Sequence, residues 1–173
     1  PPPRPPGGGG LNVARAPRRL GLPVRAWALL AGPVGAQLAA LLAEEHVALR
    51  AFAVTGDTRQ SFAVIDDSSG AEYRFVLPGP EVDAAHWQAL LDALPPADAS
   101  APGRPWLVAS GSLPPGLPDA AYAQLAQRAS ALGWRVALDS SGAALAHALA
   151  AGVALVKPSL RELRQATGAP LAN

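Results

Sequence analysis

A chain of 173 residues, half of them hydrophobic and 16% charged, has enough apolar content for one packed domain and too little charge to be disordered. A formal charge of +1, with scattered arginines and no basic stripe, argues against nucleic acid as a partner, and the lack of cysteine rules out disulfide frameworks and thiolate metal sites. No apolar run reaches the roughly 18 residues of a membrane span and no secretory leader pattern is visible, so no membrane partner is expected and the cytoplasm is the expected compartment.

Residues 1–6 are proline-rich and expected to be extended or disordered, and residues 7–173 read as one partial domain. No methionine occurs, so Pro1 is not an initiator, and the expectation is a piece of a longer protein, incomplete at both ends. Gly7-Gly8-Gly9-Gly10 runs through Leu11 and Asn12 into a helical segment over 12–20. Glycine lets a ligand approach the backbone closely, and the opening N–H groups of a helix favour an anion or polar ligand. Asn12 adds a side chain that both donates and accepts, which suits a sugar hydroxyl. A flexible linker is the alternative reading of the run. Pro17 is costly inside a helix, about 3 kcal/mol, so the helix is expected to begin later than the glycines suggest.

Residues 24–31 read as a strand, 34–45 as a helix with Leu38, Leu41 and Leu42 at helical spacing, and 47–54 as a strand. Residues 59–66 and 71–77 flank Asp67-Ser68-Ser69-Gly70, a turn signal, which predicts a β-hairpin. A helix over 82–94 is followed by a Pro/Ala-rich loop and a buried strand over 106–109. Helices over 118–132, 142–151 and 160–167 then alternate with strands over 134–138 and 153–156. That alternation predicts parallel strands joined by crossover helices, an α/β fold whose ligands bind at the carboxyl ends of the strands. The loops there are Ser110-Gly111-Ser112-Leu113-Pro114-Pro115-Gly116, Asp139-Ser140-Ser141-Gly142 and Lys157-Pro158-Ser159. His46, His86 and His147 lie far apart, without metal-ligand spacing.

These motifs, with Thr58-Arg59-Gln60 and Tyr73-Arg74-Phe75-Val76-Leu77-Pro78-Gly79 between them, resemble in order and spacing the phosphofructokinase-B type carbohydrate kinases of the ribokinase-like superfamily. The resemblance covers residues 7–168 and implies a mostly parallel sheet flanked by helices, with a small hairpin lid over 58–78. It implies ATP and Mg²⁺ as cofactors and a sugar phosphate as substrate. The four glycines before Leu-Asn-Val-Ala-Arg are most similar to the minor 6-phosphofructokinase branch, which converts fructose 6-phosphate to fructose 1,6-bisphosphate. Relatives acting on fructose 1-phosphate or tagatose 6-phosphate tend to carry lysine at the third glycine.

By that resemblance Gly8, Gly9, Gly10 and Asn12 hold the sugar, Arg59 grips the existing phosphate, and Ser112 contacts the substrate. A guanidinium suits phosphate because it is planar, permanently charged and bonds in pairs. The bland alternatives are a tight turn, a solvated strand arginine and a loop hydroxyl bonded to backbone. Lys157 and Ser159 fall on the nucleotide side. The family's Asn-x-x-Glu element, which orders Mg²⁺, reads here Ser159-Leu160-Arg161-Glu162; the same spacing is a capping box, so Glu162 stands between metal-linked and structural roles. Asp139 either helps hold the metal through water or caps the next helix. The lid resemblance implies a homodimer through the hairpin in the parent enzyme.

The family's catalytic base is an aspartate in a Gly-Ala-Gly-Asp element, expected beyond the equivalent of Asn173; Gly56-Asp57, at the start of the lid, is a poor substitute. No catalytic residue is therefore assigned within the chain, which alone is expected to be inactive. The alternative to a piece of a kinase is a non-catalytic remnant that at most binds a sugar phosphate. A dinucleotide-binding domain is a third reading of the glycines, disfavoured because a proline run, not a strand, precedes them.

Overall fold

The structure is a computed structural model that describes residues 6–100 and 103–169. Most of the proline-rich start, residues 1–5, and the last four residues lie outside the described residues, as does any expectation about them. In chain order the elements are α1 (Gly9–Arg19), β1 (Arg25–Leu30), α2 (Gly32–Glu44), β2 (Ala48–Ala53), β3 (Ser61–Ile65), β4 (Glu72–Val76) and α3 (Ala84–Asp92). They continue with β5 (Trp106–Ser110), α4 (Ala121–Ala131), β6 (Arg135–Asp139), α5 (Gly142–Ala150), β7 (Leu155–Val156) and α6 (Leu160–Thr167).

The parallel strands form two ladders rather than one. β1 pairs β2 from Arg25↔Ala48 to Leu30↔Ala53, and β5, β6 and β7 pair in that order. Leu11 and Ala14 of α1 pack with Ala26, Leu42 and Val47. On β5 to β7, Ala109 and Leu138 pack against Trp87, Leu91, Leu125 and Leu145 of helices α3, α4 and α5. A third cluster of Leu94, Ala126, Ala129 and Val136 draws in Trp27 from β1, so the ladders share packing without sharing hydrogen bonds.

β5 is not the buried strand expected from its composition. Trp106 and Val108 are each 41% exposed, and Leu155 of β7 is 55% exposed. The register places Trp106 and Val108 opposite Arg135 and Ala137, with Leu155 beside Ala137, all on one face. The helices that bury Leu107, Ala109 and Leu138 cover only the other face. The Arg135 guanidinium lies 4.1 Å above the Trp106 ring and partly shields it.

α1 begins at Gly9, inside the glycine run, earlier than expected, and it contains Pro17. Pro17 lies in the closing turns, and the amides of Leu20 and Leu22 both bond its carbonyl, at 3.0 Å each, so the helix ends there instead of propagating through strain. The glycines tolerate the helical start because α1 is held from outside. Arg15 forks onto Glu45 at the end of α2, with Nε–Oε2 2.5 Å and Nη2–Oε1 2.6 Å. Its Nη1 donates to the Pro6 carbonyl at 2.9 Å.

β3 and β4 form the expected antiparallel hairpin, from Ser61↔Val76 to Ile65↔Glu72. Asp66 closes its turn by accepting from the Ser68 amide at 2.9 Å and from the Ser68 and Ser69 hydroxyls. These donors hold its carboxyl down to about 2, the Ser69 hydroxyl contributing most. Phe62, Val64, Tyr73 and Phe75 share one face and are all about half exposed, with Phe62 and Phe75 stacked at 5.1 Å.

The hydrogen bond from Arg15 holds the Glu45 carboxyl below its ordinary value, so the pair stabilises the fold above the unfolded carboxylate range and is lost as pH falls through the lowered value. Glu45→Gln should therefore lower the thermal midpoint at neutral pH, with the deficit shrinking as pH drops below about 4.3. Melting curves across that range check it; a deficit as large at pH 3 as at neutrality contradicts it.

Candidate active site

Parallel strands deliver their carboxyl ends to one edge, and here that edge carries Ser110, Asp139 and Lys157. The Ser110 hydroxyl donates to Asp139 Oδ2 at 3.3 Å, and Lys157 Nζ lies 3.4 Å from Asp139 Oδ1. Asp139 is 43% exposed on its side chain. It does not cap α5, whose N-cap position is Ser141 with no side-chain bond, so the capping alternative for Asp139 is set aside.

The start of α1 is pressed against the end of β5. A Cβ on Gly9 would collide with the Ser110 hydroxyl, while one on Gly10 would meet only the Ser110 carbonyl at 3.9 Å. Gly8 precedes them at φ +110, in the region that favours glycine. No side chain caps α1, so its opening N–H groups are left for solvent or a ligand. Asn12 is exposed on the first turns, its amide oxygen 3.3 Å from Arg15 Nη1.

The next two residues after Ser110 extend the site. Gly111 turns the chain at φ +111, and its N–H donates to the Asp139 carbonyl at 2.8 Å. Ser112 Oγ then lies 3.4 Å from Arg59 Nη1, although the two are 53 residues apart. Residues 110–112 thus connect the glycine run, Asp139 and Lys157 on one side with Arg59 on the other. Arg59 is exposed, with its guanidinium open to further partners.

Two anchors hold the segment that carries Arg59. Thr58 donates its hydroxyl to the Ala31 carbonyl at 3.0 Å and accepts from the Ala31 amide at 2.8 Å. Beyond the hairpin, the Val82 amide donates to the Pro115 carbonyl at 2.8 Å. Gly32, at φ +61, sits against Asp57, and Gly35 against Thr58. Sequence reasoning quoted Thr58 without a role and passed over Gly32 and Gly35. The Gly-x-x-Gly spacing at a strand-to-helix junction was the available signal.

Ser159 and Glu162 form a complete capping box. Glu162 Oε2 accepts from the Ser159 amide at 2.7 Å and hydroxyl at 2.8 Å, and the Ser159 hydroxyl accepts from the Glu162 amide at 3.3 Å. The Ser159 amide is the main cause holding the Glu162 carboxyl below its usual range. Among the described residues no group of three or more His, Asp or Glu gathers as a metal cage.

A model of the pfkB family carbohydrate kinases matches residues 4–173. The chain belongs to that family. It is similar to the ATP-dependent 6-phosphofructokinase isozyme 2 of Mycobacterium tuberculosis, with 42% identity over 96% of this chain and 48% of the relative. Its identity to a 1-phosphofructokinase of Xanthomonas campestris is 40%, over 96% of this chain and 53% of the relative. Among solved structures it is similar to phosphofructokinase-2 from Escherichia coli in complex with fructose-6-phosphate. That match has a TM-score of 0.85 and 38% identity, over 98% of this chain and 55% of that one. The chain spans about half the length of the curated relatives it matches. The α/β architecture with parallel strands is therefore the pfkB fold, as the motif order implied.

Close packing at Gly9 and ordinary contact at Gly10 distinguish the two glycines. Gly10→Ala should keep or raise the thermal midpoint, since alanine in a helix gains roughly 0.5–1 kcal/mol over glycine. Gly9→Ala should lower the midpoint by driving the Ser110 hydroxyl off Asp139. Thermal melts of both variants check this; equal midpoints for the two contradict it.

Proposed function

We propose that the whole protein to which these residues belong transfers the γ-phosphoryl of ATP to the 1-hydroxyl of fructose 6-phosphate. The observation that carries this reading is the meeting of Arg59 and Ser112 beside an uncapped, glycine-lined helix start at the carboxyl ends of parallel strands. A sugar with an anionic end needs both kinds of group. Arg59 binds the phosphate through charge-assisted hydrogen bonds, and Gly8, Gly9, Gly10 and Asn12 offer amides and a side-chain amide to the hydroxyls. Ser112 adds a hydroxyl between the two.

Phosphoryl transfer asks the protein mainly for positioning and charge neutralisation. Lys157 supplies positive charge on the nucleotide side, with Asp139 fixing its ammonium group. Ser159, two residues on, marks the same side. Both Ser159 and the Oε2 oxygen of Glu162 are engaged in the helix cap, and Asp139 carries Lys157, so these residues do not form a ready magnesium cage. Magnesium enters this reading as the ion bound by the nucleotide phosphates, and no step is assigned to it through Asp139 or Glu162.

The hairpin of β3 and β4 serves in this reading as a lid that excludes water from the sugar. Its half-exposed face of Phe62, Val64, Tyr73 and Phe75 supports pairing with a second copy of the protein. Glycine rather than lysine at position 9 supports the 6-phosphate over the 1-phosphate substrate in this reading.

Arg59→Ala in the whole protein should raise KM for fructose 6-phosphate at least tenfold, the loss of a charge-assisted contact being worth about 1.5–3 kcal/mol, with KM for ATP nearly unchanged. Equal rises for both substrates contradict the phosphate-gripping role. A coupled assay without turnover on any ketohexose phosphate overturns the proposed activity. Residues 1–173 alone should turn over at less than about one thousandth of the whole protein's rate, since a general base contributes about 10²–10⁴; robust turnover by this segment overturns that expectation.

A further inference from the structure

The loop that presents Ser112 is held at a point the proposed reaction does not touch. Gly111 is the soft residue of this loop: it has no Cβ and sits at φ +111, so its hydrogen bonds matter more than usual in setting its dihedrals. Its N–H is tied to the Asp139 carbonyl at the end of β6. Its carbonyl accepts from the Tyr122 hydroxyl on α4 at 3.0 Å. A trans peptide is planar, with carbonyl and following N–H opposed. Holding the Gly111 carbonyl therefore fixes the direction of the Ser112 N–H and the position of its Cα, from which the side chain reaches toward Arg59.

We propose that Tyr122 is a positioning residue for sugar-phosphate binding: by holding the Gly111 carbonyl it places Ser112 beside Arg59. The Tyr122 ring is well suited to act as a fixed post. It is part-buried and packs against the cluster containing Trp87, Ala109, Leu125 and Leu138, which ties it to the rigid layer of α3, α4 and the strands. Leu113 packs on the same cluster and the Val82–Pro115 bond secures the far end of the loop, so the 111–112 peptide is the stretch that the Tyr122 hydroxyl restrains.

This inference rests on the kinase reading, and its test separates the two. Tyr122→Phe keeps the ring and deletes only the hydroxyl. In the whole protein its dissociation constant for fructose 6-phosphate should rise about three- to tenfold, the usual effect of one lost hydrogen bond, with that for Mg-ATP unchanged. Combined with Ser112→Ala, the two losses should fall short of multiplying, as expected of residues acting through one another. Amide hydrogen exchange without ligand should quicken at residues 111–113 and stay unchanged in α4. Loss of affinity for both ligands alike, fully multiplying losses, or unchanged exchange at 111–113 each overturns the role of Tyr122. If the unsubstituted protein binds no fructose 6-phosphate, the kinase reading falls, and the exchange measurement alone then upholds or overturns the anchoring of the loop.

Discussion

The close approach of the α1 backbone to the end of β5 is the constraint on which the site depends. At Gly9 there is no room for a side chain, because the Ser110 hydroxyl occupies that space on its way to Asp139. The contact brings the uncapped start of α1 within reach of Asp139 and, through it, Lys157. A helix start only a few ångströms farther away would leave the glycine amides and the strand-end groups as separate surface features. The Arg15–Glu45 fork matters for the same reason, since it ties α1 to α2 and so sets how α1 lies across the strands.

The second half of the site is suspended between two fixed points. Thr58 locks the segment before Arg59 onto Ala31, and Val82 locks the segment after the hairpin onto Pro115. Between these anchors the hairpin is exposed on both faces and makes its hydrogen bonds within itself. An element attached in this way fits the lid role proposed for it. The packed strands and the segment leading into the hairpin meet at Ser112 and Arg59.

The parallel strands are unusually bare for their class. Parallel sheets are normally covered on both faces, yet Trp106, Val108 and Leu155 lie open on one face, and among the described residues β1 and β2 pair apart from β5, β6 and β7. Arg135 over Trp106 and Arg50 over Trp27, at 4.1 and 4.9 Å, place cations against the aromatic rings. The curated relatives that this chain matches are about twice its length.

The order of helices and strands was legible from residue patterns, because periodicity and turn chemistry act over a few neighbours. The Ser159-to-Glu162 cap is the clearest case: three residues of separation suffice to dictate reciprocal hydrogen bonds. The glycine run likewise announced a close backbone approach, though not what approached it. Which partner meets which group was settled only by the three-dimensional path. Nothing near Tyr122 in sequence distinguishes it from an ordinary helix-face tyrosine, and nothing near Trp106 shows that one side of its strand lacks a helix. Arg59 and Ser112 meet across 53 residues because the hairpin and the crossover through β5 return to the same edge. Local chemistry determines which elements form and where they stop; the packing of one element on another determines which side chains share a site.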